Sequence, residues 1–354
     1  MLDNSIYQND AYAQALLQGA RDIASSNTVD PIAFDNAYKQ LEPALKAGEN
    51  ILILGAPQNG KSTAVALIAN RYGIPFIPFS CDDGLQPSAV FGGMVPNPNK
   101  GVNGDDREFI WEDGPLMKAW RRGYWFDAEE LLQLTPDRAS MFMKVLDKMP
   151  FFVTKAGEVI PRHPNFRFIA TGNPLCRGNK KQNQALMRRF GVKISVQELS
   201  AKGFLLLGKS KRPFIKDGFF NAGHQLASAV VAEAQRLGHP GESCGITQLT
   251  SLIGLLENDA EKLTIDVFKE KVKATFINVL IAAQVTEEQT SIFMGTPAVN
   301  GYVSVMFNEY MASPKAALAQ PQQQQQTPPP VQPAQRPATS SGNDLFNKMR
   351  GVKI

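Results

Sequence analysis

The spacing of hydrophobic residues divides the chain into regions with different predicted structure. Up to about residue 48, apolar side chains recur at helical spacing, which predicts N-terminal helices. Between residues 49 and 200, short apolar runs alternate with helical segments. Four of these runs are "NILILGA" (50–56), "IPFIPFS" (74–80), "YWFDAEELL" (124–132) and "FRFIATGNP" (166–174). Strands that alternate with helices in this way predict an α/β fold built on a parallel sheet.

Parts of this α/β region depart from the alternation. Residues 82–114 are rich in Gly, Asn, Asp and Pro, which predicts loops and hairpins inserted into the domain. The segment "FFVTKAGEVIP" predicts a hairpin that turns through Ala156 and Gly157. In "TPDRASMFMKVLDKM" (135–149), Thr135 and Pro136 are typical of a helix start.

The last third of the chain changes character twice. Residues 201–312 have mostly helical patterning, which predicts a smaller helical domain after the α/β core. Residues 313–342 are rich in Pro and Gln and cannot build a core, so they predict a linker. Residues 343–354 regain apolar side chains, and Leu345, Phe346 and Met349 share one helical face. A tethered docking peptide and a plain disordered terminus both fit this last segment.

Charge, cysteine content and the lack of long apolar runs limit the cellular compartments and the classes of partner that we expect. The 354 residues carry a formal net charge of +4, which on its own is too small to indicate nucleic-acid binding. Cys81, Cys176 and Cys244 lie far apart and predict neither a zinc site nor a disulfide framework, as in a reducing cytosol. The N-terminus lacks the pattern of a signal peptide, and no apolar run reaches the ~18 residues of a membrane helix. We therefore expect a cytoplasmic protein with no membrane partner.

The strongest motif lies between the first predicted strand and the next helix. The stretch "GAPQNGKST" matches the pattern G-x-x-x-x-G-K-[ST], and both neighbouring elements are of the expected type. Its glycines let backbone N–H groups surround phosphate oxygens, and the following helix adds its positive N-terminus. Lys61 is expected to reach the β- and γ-phosphates, and Ser62 to bind Mg²⁺. The predicted ATP-binding residues are Gly55, Ala56, Pro57, Gln58, Asn59, Gly60, Lys61, Ser62 and Thr63.

The order of the motifs after this loop resembles one family. The landmarks are "FGGMVPNPNKG", then Trp111, Asp113, Gly114, Pro115, Leu116, Ala119 and Gly123, then Gly157 and Glu158, "HPNFRFIATGNP" and "NQALMRRFGV". Over residues 30–310 this order resembles AAA+ ATPases of the MoxR group and their CbbQ, NorQ and dynein-related relatives, most weakly after residue 200. The resemblance implies a P-loop ATPase core at 49–200, a helical lid at 201–312, and a homo-oligomeric ring that is usually hexameric.

For function, the resemblance implies that ATP binding and hydrolysis drive the remodelling or assembly of a protein partner. Many relatives act with a VWA-type partner, and this chain has no D-x-S-x-S motif, so such a partner would be a separate protein. Two alternatives stay open: a nucleic-acid motor like the McrB branch, and a nucleotide-gated scaffold with weak hydrolysis. The inserted segment mixes Lys100 and Arg107 with Asp105, Asp106 and Glu108, which does not favour a DNA-binding groove.

The acids in "YWFDAEELL" allow two assignments. In the first, Asp127 binds Mg²⁺ and Glu129 activates the attacking water. In the second, which we prefer, the family's Asp-Glu pair falls on Glu129 and Glu130, because counting from Pro115 and from Pro136 gives the same answer. Glu129 then stands at the magnesium position with Asp127 beside it, and Glu130 is the base that orients the water. A glutamate where aspartate is usual predicts slow hydrolysis, because small displacements can lower a rate strongly.

Further positions follow from the same resemblance. Asn173 matches a polar residue that helps to orient the water, although Asn before Pro is also an ordinary turn residue. Arg189 matches the arginine that reaches the γ-phosphate in a neighbouring subunit, with Arg188 as the second choice. Cations that favour a helix C-terminus are the alternative explanation for both arginines. Thr247 stands where relatives carry a second sensor arginine, so that contact is predicted to be missing.

Overall fold

The computed structural model describes residues 2–26, 36–57, 59–101, 105–174, 180–239, 244–257, 263–282 and 285–314. Gln58, Cys176 and the predicted linker and docking peptide from residue 315 onward lie outside these residues. The chain divides into two compact units, Met1–Ser313 and Pro314–Ile354. The elements and contacts below belong to the first unit.

The strands form one central sheet and two separate hairpins. In chain order they are β1 (Ile51–Leu54), β2 (Phe76–Ser80), β3 (Gly92–Pro96), β4 (Phe109–Asp113), β5 (Trp125–Glu129), β6 (Phe151–Val153), β7 (Val159–Pro161), β8 (Arg167–Gly172) and β9 (Val192–Ser195). The central sheet has the order β2-β5-β8-β1-β9, and every neighbouring pair is parallel. All six residues of β8 are buried, as expected for an inner strand of a parallel sheet. The predicted α/β fold is confirmed.

Helices flank the sheet and dominate the chain after residue 200. In chain order they are α1 (Ala11–Ser26), α2 (Leu41–Ala47), α3 (Lys61–Tyr72), α4 (Pro87–Phe91), α5 (Pro115–Arg122), α6 (Pro136–Ala139), α7 (Met143–Leu146), α8 (Gln184–Arg188), α9 (Ala201–Lys211), α10 (Asp217–Arg236), α11 (Ile246–Glu257), α12 (Ile265–Val272), α13 (Asn278–Ala282), α14 (Glu287–Gly295) and α15 (Pro297–Met311). Helix α1 packs on α3, and α10 packs on α15. The predicted helical region after the core is therefore confirmed.

The segment 135–149 is helical at its start but does not form one continuous helix. The Thr135 hydroxyl caps α6 by accepting the backbone N–H of Arg138 at 3.5 Å. A 3-10 turn over Ser140–Phe142 then separates α6 from α7. Phe142 is fully buried and packs against Phe91 and Phe168, so the chain follows this core contact rather than regular helical spacing.

The two hairpins, β3–β4 and β6–β7, occupy the segments in which hairpins were predicted. Gly157, in the turn between β6 and β7, has a φ of 82°, which glycine adopts without strain. Arg121 of α5 joins the two hairpins, because its guanidinium pairs with Asp113 and with Glu158, each at 2.7 Å. The inner side of the second hairpin packs on the core through the stacked rings of Phe91 and Phe152, whose centroids are 5.3 Å apart.

The helical part, residues 201–311, has its own core of aliphatic and aromatic side chains. The rings of Phe219 and Tyr310 pack together where α10 crosses α15. A π-helical turn over Lys273–Ile277 joins α12 to α13. No helix within the described ranges has both the length and the apolar character needed to cross a membrane.

Candidate functional site

The phosphate-binding loop, residues 55–63, lies between the end of β1 and the start of α3. A Cβ atom on Gly55 would lie 2.8 Å from the carbonyl oxygen of Val196, so the close approach of the two chains requires glycine. Gly60 directly precedes α3 and has a φ of 74°. These two glycines turn the backbone so that the N-terminus of a 12-residue helix faces the loop. The arrangement suits an anion such as a phosphate group.

One side chain from outside the loop, Tyr38, and one from within it, Asn59, hold the loop in place. The Tyr38 hydroxyl donates to the carbonyl oxygen of Asn59 at 2.7 Å, and Tyr38 itself is buried. The Asn59 amide donates to the carbonyl oxygen of Gln197 at 2.8 Å, which ties the loop to the chain after β9. The segment before β1 and the segment after β9 therefore both contribute to the shape of the loop.

Lys61 lies at the first position of α3 and turns back over the loop. Its ammonium donates to the carbonyl oxygens of Gly55 and Ala56 at 3.0 and 2.9 Å. Burial lowers the pKa of Lys61, while the nearby charges of Glu130, Asp127 and Glu129 act in the opposite direction. One cation is thus surrounded by the three acids that the sequence places at the end of β5.

Glu129, the last residue of β5, makes the direct link between these acids and the phosphate-binding loop. Its carboxylate accepts a hydrogen bond from the Ser62 hydroxyl at 2.5 Å. Both side chains are partly buried. A hydroxyl and a carboxylate oxygen at this distance form the type of hard oxygen pair that Mg²⁺ accepts as ligands. The structure therefore brings together Ser62 and Glu129, two of the three residues predicted to bind the metal.

Asp127 lies two residues earlier on β5 and so shares the face of Glu129. It is fully buried, and neither carboxylate oxygen has a hydrogen-bond partner among the described residues. Burial, and then the charge of Glu129, raise the pKa of Asp127 to about 8, against the attraction of Lys61. Asp127 therefore, unlike Glu129, makes no hydrogen bond with Ser62.

Glu130 directly follows the strand and has a backbone conformation that is rare for a residue with a side chain. Its φ is 56°, and such left-handed positions outside glycine occur often at functional sites. This turn directs the carboxylate of Glu130 away from the strand path, where it accepts a hydrogen bond from the Gln133 amide at 3.4 Å. Glu129 and Glu130 are thus adjacent in sequence but have different hydrogen-bond partners, Ser62 and Gln133.

Asn173 follows β8, which lies between β5 and β1 in the sheet. Parallel strands bring their carboxyl ends to the same edge, so Asn173 lies between the acids and the phosphate-binding loop. Its side chain is buried, at 3% exposure. The structure therefore places five residues at the carboxyl ends of the inner strands, which is called the sheet edge below: Lys61, Ser62, Glu129, Glu130 and Asn173.

The two predicted arginines lie apart from this group, at the end of α8. The Arg189 guanidinium pairs through Nε with Asp147 at 2.6 Å and donates through Nη1 to the carbonyl oxygen of Ala185 at 2.9 Å. Arg188 is exposed, and its side chain has no hydrogen bond or ion pair within the described part of the chain. Neither arginine has a hydrogen bond or ion pair with the acids of β5 among the described residues.

A cavity opens between the phosphate-binding loop and the helical part. Its lining residues come from the loop, from the chain after β9 and from the starts or middles of α9, α10 and α11: Ala56, Pro57, Asn59, Glu198, Leu199, Phe204, His224, Ala227, Ser228, Val231, Cys244, Gly245 and Ile246. Thr247, one residue further along α11, is exposed and outside this lining. No sequence motif pointed to His224, since its place in the cavity depends on how α10 packs.

The donor set fits a magnesium nucleotide better than a free metal ion. No group of three or more His, Cys, Asp or Glu side chains in the described ranges is arranged to hold a metal on its own. Mg²⁺ commonly uses one or two protein oxygens and completes its shell with water and substrate phosphates. Ser62 and Glu129 supply such a pair beside a loop shaped for phosphate. Cys81 and Cys244 are free thiols and take no part in this set.

Comparisons with known proteins agree with this geometry. Residues 50–190 match the family model described as an AAA domain of the dynein-related subfamily. The midasin of Dictyostelium discoideum is 24% identical over 188 residues, which are 52% of this chain and 3% of that protein. The denitrification regulatory protein NirQ of Stutzerimonas stutzeri is 26% identical over 140 residues, 39% of this chain and 48% of its own length. An uncharacterized protein of Staphylococcus epidermidis is 26% identical over 44% of this chain and 58% of its own.

The matches cover only part of each chain. The chain spans 3% of the Dictyostelium midasin, 48% of NirQ and 58% of the Staphylococcus epidermidis protein. The matched region, residues 50–190, contains the phosphate-binding loop, the acids of β5, Asn173 and both arginines. The helical part lies outside the region matched by the family model.

Proposed function

We propose that this chain, whose residues 50–190 match the model of an AAA domain of the dynein-related subfamily, binds and hydrolyses ATP in a ring of identical subunits and uses the energy to remodel or assemble a protein partner. The observation that carries the ATPase proposal is the hydrogen bond between Ser62 and Glu129, at 2.5 Å. It joins the start of the helix after the phosphate-binding loop to the acidic end of β5, with Glu130 next in the chain.

The residues at the sheet edge divide the chemistry among them. Lys61 binds phosphate oxygens by exchanging its two backbone partners, Gly55 and Ala56, for those of the nucleotide. Ser62 and Glu129 are the residues that would hold Mg²⁺, which would supply charge neutralisation on the phosphates. Glu130 accepts a hydrogen bond from the attacking water and takes up its proton, and Asn173 supplies the second contact that orients this water.

The neighbouring subunit completes the site with an arginine. Charge builds up on the phosphate oxygens during transfer, and a cation placed there can raise the rate by ~10³–10⁵. Asp147 and Ala185 fix two sides of the Arg189 guanidinium and leave Nη2 without a hydrogen bond to any described residue. Arg189 is thus held in one orientation with one edge available, which supports it as the arginine acting in trans. The exposed Arg188 is the second candidate.

The charge distribution favours a protein partner over nucleic acid. In the inserted hairpin, Lys100 pairs with Glu108 at 2.8 Å, and Arg107 pairs with Asp105 at 2.7 Å. These cations are already neutralised within the hairpin, so they offer little net charge to a phosphate backbone. Exposed apolar side chains, such as Phe109 at 52% and Val159 at 60% exposure, are available on the two hairpins instead. The family resemblance implies a VWA-type protein as this separate partner.

The ATPase proposal is tested with the purified full chain by measuring Mg²⁺-dependent ATP turnover. Ser62→Ala removes the hydroxyl that contacts Glu129 and is expected to lower turnover by on the order of 10²-fold. Ser88→Ala, an exposed serine on α4, is the matched control and should leave turnover unchanged. Equal turnover in Ser62→Ala and Ser88→Ala would contradict the site.

The partner is tested with the ATP-locked variant Glu130→Gln as bait. We expect it to retain a protein partner in ATP and to release it in ADP. The competing motor function predicts a different result: turnover stimulated by double-stranded DNA at low salt, with the stimulation lost steeply as salt rises. The scaffold alternative predicts partner capture by the wild type without measurable ATP turnover.

A further inference from the structure

His224 lies on α10, inside the cavity that separates the phosphate-binding loop from the helical part. The cavity wall around it carries the apolar side chains of Ala227, Val231 and Ile246, together with the polar residues Ser228 and Glu198. A nucleotide whose phosphates occupy the loop would place its base in this cavity, since the loop residues Ala56, Pro57 and Asn59 line the same space. A flat purine between apolar walls needs few polar contacts, and those few decide which base fits.

The hydrogen bond of His224 determines what its ring offers to a ligand. Nε2 lies 3.1 Å from the carbonyl oxygen of Leu199. A carbonyl oxygen only accepts, so Nε2 must carry the proton, and Nδ1 of the neutral ring is then an acceptor. The Phe204 ring packs edge-on against the imidazole, with centroids 5.4 Å apart, and fixes its plane. Nδ1 has no hydrogen-bond partner among the residues that the structure describes.

We propose that His224 selects adenine nucleotides over guanine nucleotides by accepting, through Nδ1, a hydrogen bond from the 6-amino group of the base. Guanine presents an oxygen at that position, which would face the lone pair of Nδ1 and leave both acceptors unsatisfied. A site that hydrogen-bonds one ligand group rejects the analogue that lacks it, because buried polar groups are then left unpaired. This inference rests on the proposed nucleotide binding and adds the residue that distinguishes the bases.

The same imidazole also fixes the position of the connecting chain. Leu199 belongs to the segment between β9 and α9, which joins the α/β core to the helical part. Its carbonyl oxygen holds Nε2, and the backbone of the neighbouring Gln197 holds the Asn59 side chain of the phosphate-binding loop. The acceptor at Nδ1 is therefore positioned from two sides, by the connecting segment and by the Phe204 ring.

The test is equilibrium binding of fluorescent ATP and GTP analogues to the full chain with Mg²⁺. The wild type is expected to bind the ATP analogue at least about 10-fold more tightly than the GTP analogue. In His224→Gln, the longer amide can keep the hydrogen bond to Leu199 but lacks an acceptor at the Nδ1 position, so the preference should fall towards equality. In His224→Asn, the amide oxygen takes the approximate place of Nδ1, so much of the preference should remain.

The outcomes of this test distinguish a failure of the His224 role from a failure of nucleotide binding itself. His239→Gln changes a histidine outside the cavity and should leave the ATP-to-GTP ratio unchanged. If the wild type binds both analogues equally, or if His224→Gln keeps the wild-type ratio while its thermal unfolding is unchanged, the role of His224 is overturned and nucleotide binding stands. If the wild type binds neither analogue, the proposed function fails and this inference fails with it.

Discussion

The sheet edge and the cavity beside it use different means to form a site. At the sheet edge, polar groups are hydrogen-bonded directly to one another. Ser62 donates to Glu129, and Lys61 donates to the carbonyl oxygen of Gly55. In the cavity, one polar ring stands among mostly apolar side chains and is held from behind by a backbone carbonyl. Catalysis needs charged groups at fixed short distances, whereas base selection needs shape and one well-placed acceptor. We therefore expect changes at the edge to alter kcat and changes in the cavity to alter nucleotide preference.

The largest effect is expected from the arginine that acts across the subunit interface. Arg189→Ala should lower kcat by ~10³-fold or more, because the cation acts on charge that develops only in the transition state. Arg188→Ala is the matched control and should cost far less. ATP turnover at saturating ATP checks both variants. If wild type and both variants have the same ATP-to-GTP preference, the loss of kcat does not involve the cavity.

Mixing experiments decide whether the arginine acts in trans. Combining Arg189→Ala subunits with Glu130→Gln subunits should restore part of the turnover, since some interfaces then carry both intact groups. Restoration with Arg188→Ala in place of Arg189→Ala would move the role to Arg188. Failure of both mixtures, in rings whose mass shows that subunits exchange, would contradict an arginine supplied by the neighbour.

A smaller effect is expected from shortening Glu129. The glutamate reaches Ser62 at 2.5 Å, and Glu129→Asp would withdraw the carboxylate by about one bond length. Misplacement by ~1 Å can cost ~10²-fold, so we expect kcat to fall by about 10- to 100-fold with nucleotide preference unchanged. Glu112→Asp, on the exposed side of β4, is the control. A faster Glu129→Asp enzyme would instead support the sequence-based expectation that glutamate at this position slows hydrolysis.

Asp127 links the sheet edge to stability rather than to rate. Burial raises its pKa to about 8 in the folded chain, from 3.8 in the unfolded one, so the folded state keeps a proton that the unfolded state has lost between these pH values. Stability therefore falls as pH rises through this window. The side chain of Asp127→Asn cannot ionise. In nucleotide-free protein, the thermal midpoint of the variant minus that of the wild type should therefore increase by several degrees from pH 5 to pH 8. A difference that does not change with pH would contradict the buried, partnerless carboxylate.

The smallest effect is expected at Thr247, at the first turn of α11. Relatives are expected to carry an arginine there, but Thr247 is exposed and outside the cavity lining. Thr247→Arg adds a cation near the phosphates only when the helical part closes, so we expect the KM for ATP to fall about threefold with little change in kcat. Thr250→Arg, at a partly buried position one turn further along α11, is the control. A 100-fold rise in kcat in Thr247→Arg would contradict the claim that kcat is determined by the residues at the sheet edge.

The sequence predicted the sheet edge well because its chemistry depends on local spacing. Gly55, Gly60, Lys61 and Ser62 form one short motif whose backbone geometry follows from the residue types. The parallel sheet then brings β1, β5 and β8 together, so that the residues that follow these strands lie at the same end of the sheet. The left-handed turn at Glu130 and the separation of Asp127 from Ser62 were beyond the sequence, since both depend on how β5 ends.

The cavity could not be predicted in the same way. His224 lies 25 residues from Leu199 in the chain, and their contact depends on the packing of α10 against the connecting segment. The break in the helix over 135–149 has a similar origin, because the burial of Phe142 outweighs regular helical spacing. Features set by contacts between distant segments carry no local signal, whereas motifs that bind phosphate do.

The central claim is that Glu130 activates the attacking water at the sheet edge. The direct test is steady-state ATP turnover of wild type and Glu130→Gln at saturating ATP, with ATP affinity measured in parallel. We predict measurable turnover in the wild type and a loss of at least about 10²-fold in Glu130→Gln, with ATP affinity changed by less than about threefold, because general-base catalysis contributes ~10²–10⁴. Equal turnover in the two proteins, or a wild type that binds ATP without hydrolysing it, would contradict this account.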